Sequence, residues 1–166
     1  LHGSGASGGL QDVYLEMSGA SLERGVVFAA PDGTPDSLGR RFWNATDACC
    51  NFEDLEVDDD AYLMGLVDEI QSKLSIDPKR IFFAGHSNGA FMSHRLACDH
   101  ADQIAAILSL AGALSLNTSL CQPTEPVSVL QIHGTADDTI YYEGGTNIGN
   151  EYPGVDITIG TRVDRD

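Results

Sequence analysis

Ile81-Phe82-Phe83-Ala84-Gly85-His86-Ser87-Asn88-Gly89-Ala90-Phe91-Met92 is the stretch that decides how this chain is read. A short apolar run of β type ends in Gly-His-Ser-Asn-Gly, and a helix-compatible run follows at once. Strand, very sharp turn and helix, with a serine at the apex, form a nucleophile elbow. Such a turn forces Ser87 into a strained backbone conformation and brings neighbouring chain close. Gly85 and Gly89 then stand where a Cβ has no room. The strain lifts the hydroxyl clear of the sheet and sets it beside the first N–H groups of the next helix, which favour negative charge. Ser87 is the candidate nucleophile. The five-residue pattern is weak alone; the strand before it and the helix after it give it weight.

Outward from the elbow, the helix runs from about Asn88 to Cys98. Ile104 to Gly112 reads as a buried strand, apolar on both faces. Val127 to Ile132 is another, leading into His133-Gly134-Thr135-Ala136-Asp137-Asp138. Upstream, Leu63, Leu66, Val67, Ile70 and Leu74 make the apolar stripe of an amphipathic helix, which Asp77-Pro78 ends. Residues 10 to 23 read as one helix with Leu10, Val13, Tyr14 and Met17 on a single face, closed by Gly25. Val26 to Ala30 is a buried strand stopped by Pro31-Asp32-Gly33. Helices alternate with continuous apolar strands, which predicts an α/β chain with a parallel sheet covered on both faces. Functional groups then belong at the C-terminal ends of strands. Leu1 reads as the last residue of a strand, and His2 to Gly9 as a glycine-rich loop. No Gly-x-x-x-x-Gly-Lys-Ser/Thr is present, so the loop is not read as a phosphate site. It suits an oxyanion loop, with Ser4 as its N–H donor. Ser4, Ser87 and Asp137 all fall at strand ends. Asp137 follows Ser87 at the spacing of a triad acid, with Asp138 as rival and a plain turn-forming role for either.

The 166 residues carry 9 Lys and Arg against 25 Asp and Glu, a formal net charge of −16. Such a surface repels nucleic acid and anionic membranes. No apolar run approaches the roughly 18 residues that span a bilayer. Glu53, Asp54, Glu56, Asp58, Asp59 and Asp60 lack calcium-loop spacing and precede a helix, so they read as caps. The irregular stretch of about 25 residues after Gly33 holds the single tryptophan, Trp43, which either packs that loop or lines a substrate pocket; it enters the candidate site as a substrate-binding residue. The four cysteines show no zinc spacing. Cys98 with Cys121 is the preferred bridge, while Cys49 and Cys50 either form a vicinal bridge or pair outside this chain. Bridges imply an oxidising compartment.

The motifs in order are Leu1-His2-Gly3, Ala30-Pro31-Asp32-Gly33, Phe42-Trp43-Asn44, Asp59-Asp60, Gly85-His86-Ser87-Asn88-Gly89 and His133-Gly134-Thr135-Ala136-Asp137. Together they resemble the polyhydroxybutyrate-depolymerase-like esterases, which include feruloyl esterases and related secreted carboxylesterases. The resemblance implies an α/β-hydrolase fold, a mostly parallel sheet with helices on both faces. It also implies hydrolysis of a small or polymer-linked ester through an acyl-enzyme, without cofactor or metal, and export to the extracellular space. No nucleic-acid or membrane partner is implied. By position, Ser87 is the nucleophile, Asp137 the acid, and Ser4 and Asn88 the oxyanion donors. Residues 1–154 read as a partial α/β-hydrolase domain, ending after the acid-bearing strand. Residues 155–166 read as a tail that does not match the family and lacks a helical pattern. The family places its histidine well after the acid, whereas the residues after Asp137 contain none. His2, His86, His94, His100 and His133 lie in strand-end turns, in the elbow, or on and just after its helix. The chain is therefore read as a fragment of an esterase, weak or inactive alone. The alternative is a non-catalytic domain that binds an ester or a glycan.

Overall fold

The computed structural model describes residues 1–163. In chain order they form α1 (Gly8–Leu15), α2 (Met17–Glu23), β1 (Thr34–Pro35), β2 (Arg41–Phe42), α3 (Asp59–Lys73), β3 (Ile81–His86), α4 (Asn88–Asp99), β4 (Ile104–Leu110), β5 (Ser128–Ile132), β6 (Gly144–Asn147), β7 (Asn150–Pro153) and α5 (Val155–Val163). The centre is a parallel sheet in the order β3-β4-β5. Its register aligns Phe83 with Ile107 and Val129, and Gly85 with Ser109 and Gln131, so these six share one face. Helix α4 packs on β3 and β4. Its Phe91, Met92 and Leu96 are fully enclosed. Burying three such side chains contributes on the order of 6 kcal/mol before entropy is counted.

The face away from α4, expected to be covered as well, is covered only in part among the described residues: Gln11 and Tyr14 of α1 meet His86 there. Phe82, Leu130 and Ile132, on the face away from α4, keep 57%, 56% and 46% of their surface exposed. An apolar strand fits a sheet covered on both sides, but its sequence does not provide the second cover. The segment Val26 to Ala30, read as a buried strand, joins no ladder, and Val26 and Val27 are about half exposed. The β3 edge is engaged near its C-terminal end by Leu1, whose N–H bonds the Ala84 carbonyl and whose carbonyl accepts from His86 N–H. Lower down, residues 26 to 31 and β3 line a trough of about 450 Å³.

The single helix expected over residues 10 to 23 is two helices, broken at Glu16, which adopts φ 53°. Asp12 holds the break by accepting from Ser18 N–H at 2.8 Å. Its expected inward face is outside: Leu10, Val13 and Tyr14 are exposed, while Gly8 and Gln11 are buried. At its start Gly8 approaches Ala30 closely, where a Cβ would lie 2.1 Å from the Ala30 carbonyl oxygen.

Helix α3 forms as its pattern predicts. Asp58 caps it by accepting from Ala61 N–H, Asp59 and Asp60 occupy the first turn, and Lys73 pairs with Glu69 in the last. Leu63 and Met64 reach the core, and Leu66, Val67 and Ile70 are half-buried. Of the acidic run expected to act as caps, Asp58 is the cap and Asp59 and Asp60 lie in the first turn, whereas Glu53 accepts from Ser37 and Asp59 also holds Asn44 N–H. Cys98 bridges Cys121, tying the end of α4 to the segment before β5, and Cys49 bridges Cys50. The hairpin β6–β7 holds the Cys49–Cys50 loop through Asn147 to the Ala48 carbonyl and Asn150 to the Asp47 carbonyl. The tail expected to lack a helix forms α5 as far as Val163, with Thr158 buried; residues 164 to 166 lie outside the described residues. No helix among the described residues is long and apolar enough to cross a membrane.

Candidate active site

Ser87 sits between β3 and α4 with φ 51° and ψ −120°, the strained apex its sequence context requires. A Cβ on Gly85 would lie 2.0 Å from the Gly89 carbonyl oxygen, and one on Gly89 would lie 2.4 Å from that of Leu1. Both glycines are therefore demanded by close approach. The turn is fixed from outside as well. Ser87 N–H donates to the Leu110 carbonyl of β4 at 2.8 Å, and the Ser87 carbonyl accepts from Ala90 and Phe91. At the first turn of α4, backbone N–H groups have no carbonyl four residues earlier within the helix. Ser87 is the half-buried residue that precedes this turn, and its side chain makes no capping hydrogen bond to it.

The first loop passes directly over this turn. A Cβ placed on Gly3 would be 3.4 Å from the Ser87 Cβ. Ser4, next in line, is exposed in a turn closed by Ala6 N–H on the Gly3 carbonyl. Five anchors hold the loop. Gly5 N–H donates to the Arg41 carbonyl at 2.7 Å. Gly8 N–H donates to Asp32 at 2.8 Å, and Gly33 N–H to His2 Nε2 at 2.9 Å. Trp43 Nε1–H donates to the His2 carbonyl at 3.0 Å. Gly3 N–H donates to Gln11 Oε1 at 3.1 Å. The motif Ala30-Pro31-Asp32-Gly33 thus acts as a clamp on the loop, a role its sequence did not announce. Gln11 also escaped notice, because a polar residue in an otherwise apolar helix reads as solvent-facing; it is buried.

Asn88 and Trp43 are locked together. Asn88 Oδ1 accepts from Trp43 N–H at 2.7 Å, and Asn88 Nδ2 donates to the Trp43 carbonyl at 2.9 Å. The Asn88 side chain is therefore spent on structure, and only its backbone N–H can face an oxyanion. Trp43 is 0% exposed, its ring 4.8 Å from that of His2. The expectation that Trp43 lines a substrate pocket is corrected: a side chain with no accessible surface touches no substrate. It carries the contact between the first loop and the elbow helix.

Asp137 lies in the turn after β5. Its Oδ1 accepts from Thr139 N–H at 2.9 Å and Ile140 N–H at 3.0 Å, and Oδ2 is 3.8 Å from His133 Nε2. Burial pushes its pKa up. The two N–H groups, with His133 and His86 nearby, outweigh that and hold the carboxyl below its ordinary value. Asp138 is exposed, with a 3.4 Å contact to the Thr139 hydroxyl.

Among the described residues no histidine is hydrogen-bonded to Ser87 Oγ. His2 is buried, accepts from Gly33 through Nε2 and contacts the Gly3 carbonyl through Nδ1. His86 has Nδ1 at 3.3 Å from Gln11 Oε1 and its ring against Tyr14. Burial lowers its pKa, with Asp137 opposing. His94 meets Gln131, and His100 pairs with Asp60 at 2.8 Å at the start of α3. His133 donates to the Ile140 carbonyl. No group of three or more His, Cys, Asp or Glu able to hold a metal ion occurs among the described residues.

A family model described as phospholipase/carboxylesterase matches residues 46–153. Feruloyl esterase B of Piromyces equi is 34% identical over 129 residues, covering 76% of this chain and 23% of that protein. The putative esterase NocK of Nocardia uniformis subsp. tsuyamanensis is 30% identical over 158 residues, covering 93% and 44%. A probable feruloyl esterase C of Aspergillus niger is 30% identical over 129 residues, covering 77% and 42%. The chain thus spans less than half the length of these relatives. A crystal structure of an Arabidopsis thaliana SOBER1 variant superposes with a TM-score of 0.68 over 86% of this chain and 75% of that one, at 18% identity, and shares the fold. The chain belongs to the phospholipase/carboxylesterase family of α/β-hydrolases.

Proposed function

We propose that the protein hydrolyses carboxylic esters through an acyl-enzyme on Ser87. The observation that carries this reading is Ser87 at φ 51° and ψ −120° on a strand–helix turn, under a loop pinned at both sides. Ser87 Oγ attacks the ester carbonyl and a general base takes its proton. The backbone N–H groups of Ser4 and Asn88 stabilise the oxyanion, each removal costing about 3 kcal/mol by comparison with known donors. The alcohol leaves, and water releases the acid. Asp137 is the acid that orients the base, favoured over Asp138 by its partial burial and its two N–H donors. The five histidines of these residues have other partners, so the base is a histidine contributed from outside them, and residues 1–166 alone turn over weakly. Names among the relatives support feruloyl esters; acetyl and polyester-type esters share the same chemistry and complete the proposed substrate class. Two disulfides support an oxidising, extracellular location.

The test is hydrolysis of p-nitrophenyl acetate and of a feruloyl ester by the protein carrying a histidine-bearing continuation. Turnover that disappears in Ser87→Ala is expected; turnover that survives the substitution contradicts the reading. A second reading, an ester- or glycan-binding domain without catalysis, is favoured by the absence of a histidine on Ser87 Oγ. It predicts ligand binding with no hydrolysis in the same longer protein.

A further inference from the structure

Three polar side chains stand between the elbow helix and the turn that carries Asp137, where an apolar interior would otherwise continue. His94 on α4 is 0% exposed, Gln131 on β5 is half-buried, and the His133 side chain is 2% exposed. Their contacts form one line. His94 Nε2 is 3.1 Å from Gln131 Oε1. Gln131 Nε2 is 2.9 Å from the Gly112 carbonyl and 3.4 Å from His133 Nδ1. His133 Nε2 is 2.7 Å from the Ile140 carbonyl.

Two carbonyls fix the direction of every proton in this line. A carbonyl only accepts, so the nitrogen facing Ile140 O must carry hydrogen: His133 is the Nε2–H tautomer and its Nδ1 is an acceptor. The group facing Gly112 O must be the Gln131 amide nitrogen, which also points a hydrogen at His133 Nδ1. Gln131 Oε1 then faces α4 and accepts from His94 Nε2–H. The opposite polarity would set carbonyl against carbonyl at Gly112. Such a fully polarised buried network admits one arrangement and so specifies geometry.

The far end of the line is the proposed acid's turn. His133 and Ile140 bracket Asp137, and Ile140 also donates its N–H to Asp137 Oδ1 at 3.0 Å. The His133–Ile140 bond therefore closes the loop on which the carboxylate sits. The near end is α4, whose first residue follows Ser87 directly. We propose that His94, Gln131 and His133 are positioning residues: a polarised relay that sets the Asp137 turn relative to the Ser87 helix. Its geometry stands independently, and its catalytic consequence rests on Asp137 being the acid.

Two readouts separate these parts. Long-range nitrogen–proton NMR of the histidine rings reports tautomers directly. Nε2–H is expected for both His94 and His133, and Gln131→Leu is expected to shift both rings together. A His133 carrying hydrogen on Nδ1, or rings unmoved by Gln131→Leu, overturns the relay whatever the protein's activity. In the longer, histidine-bearing protein, His133→Ala is expected to lower kcat about a hundredfold with KM little changed, as for a misplaced catalytic group. His133→Gln, whose amide can still donate to Ile140 O, is expected to recover most of that loss. Equal loss in both variants, or a loss confined to KM, overturns the positioning role. Correct tautomers in a protein without esterase activity would refute the proposed function and leave the relay standing.

Discussion

At the scale of single residues, the two glycines of the elbow carry the most direct steric prediction. A methyl group on Gly89 would meet the Leu1 and His2 carbonyl oxygens at 2.4 and 2.7 Å, both backbone and unable to swing away. Gly89→Ala is expected to cost about 3 kcal/mol of stability, at the upper end for overpacking. Urea denaturation measures it, and a loss under about 0.5 kcal/mol, the range of inconspicuous surface changes, would contradict the packing. Asn88→Leu tests the other half of the elbow. It leaves Trp43 N–H and the Trp43 carbonyl buried without Asn88, at about 1–3 kcal/mol each. The places of Ser87, Gly85 and Gly89 in the strand–helix turn, and of Asp137 in the turn after β5, were legible because each lies in a short pattern with a steric or turn-forming reason inside it; the catalytic roles of Ser87 and Asp137 are our proposal. The place of Trp43 was not legible. A lone aromatic in a long loop looks the same in sequence whether it faces solvent or seals a core, and only its bonds to His2 and Asn88 decide.

At the scale of elements, α3, α4 and the three parallel strands were legible from periodicity and caps, because those signals are local. Helices α1 and α2 were not. Their break at Glu16 depends on Asp12 reaching Ser18, and α1 starts where Gly8 meets Ala30. Burial partners 20 residues away leave no trace in a helical period. The 26–30 segment failed for the same kind of reason: its composition is that of a strand, but a strand also needs a neighbour with free hydrogen-bonding groups. The Cys98–Cys121 bridge closes a loop with a sequence separation of 23 that holds β4. Removing it with Cys98→Ala and Cys121→Ala together is expected to lower stability by about 3 kcal/mol. Thermal unfolding checks this, and an unchanged midpoint would show that packing alone holds the loop.

At the scale of the whole molecule, the buried histidines set its response to acid. Burial lowers the pKa of both His2 and His86 below the ordinary 6.5. The unfolded chain then binds protons first as pH falls, so the stability gained by keeping these rings neutral is complete above that value and lost below it. Asp137, whose pKa is lowered, adds a second loss further down, below the ordinary 3.8. Asp59 acts with the opposite sign: burial raises its pKa, so its contribution is present at low pH and lost as pH rises through its folded value. Between about pH 7.5 and pH 5.5 these rings act together with the Leu1 amino group, which burial lowers from 8.0 to about 6, and the thermal midpoint should fall; a flat midpoint over that interval would contradict the neutral, buried groups. The family was legible because its motifs lie at strand ends in a fixed order, and the mechanism less so, because a triad is completed in space by residues distant in sequence. The central claim is that Ser87 is an activated nucleophile, and covalent labelling tests it most directly. The protein with its histidine-bearing continuation is treated with a fluorophosphonate and mapped by peptide mass. One adduct on Ser87 is expected, absent in Ser87→Ala and slowed at least tenfold in Asp137→Asn, a conservative bound on the loss of a triad acid. No adduct on Ser87, or the same labelling after Ser87→Ala, would contradict the account.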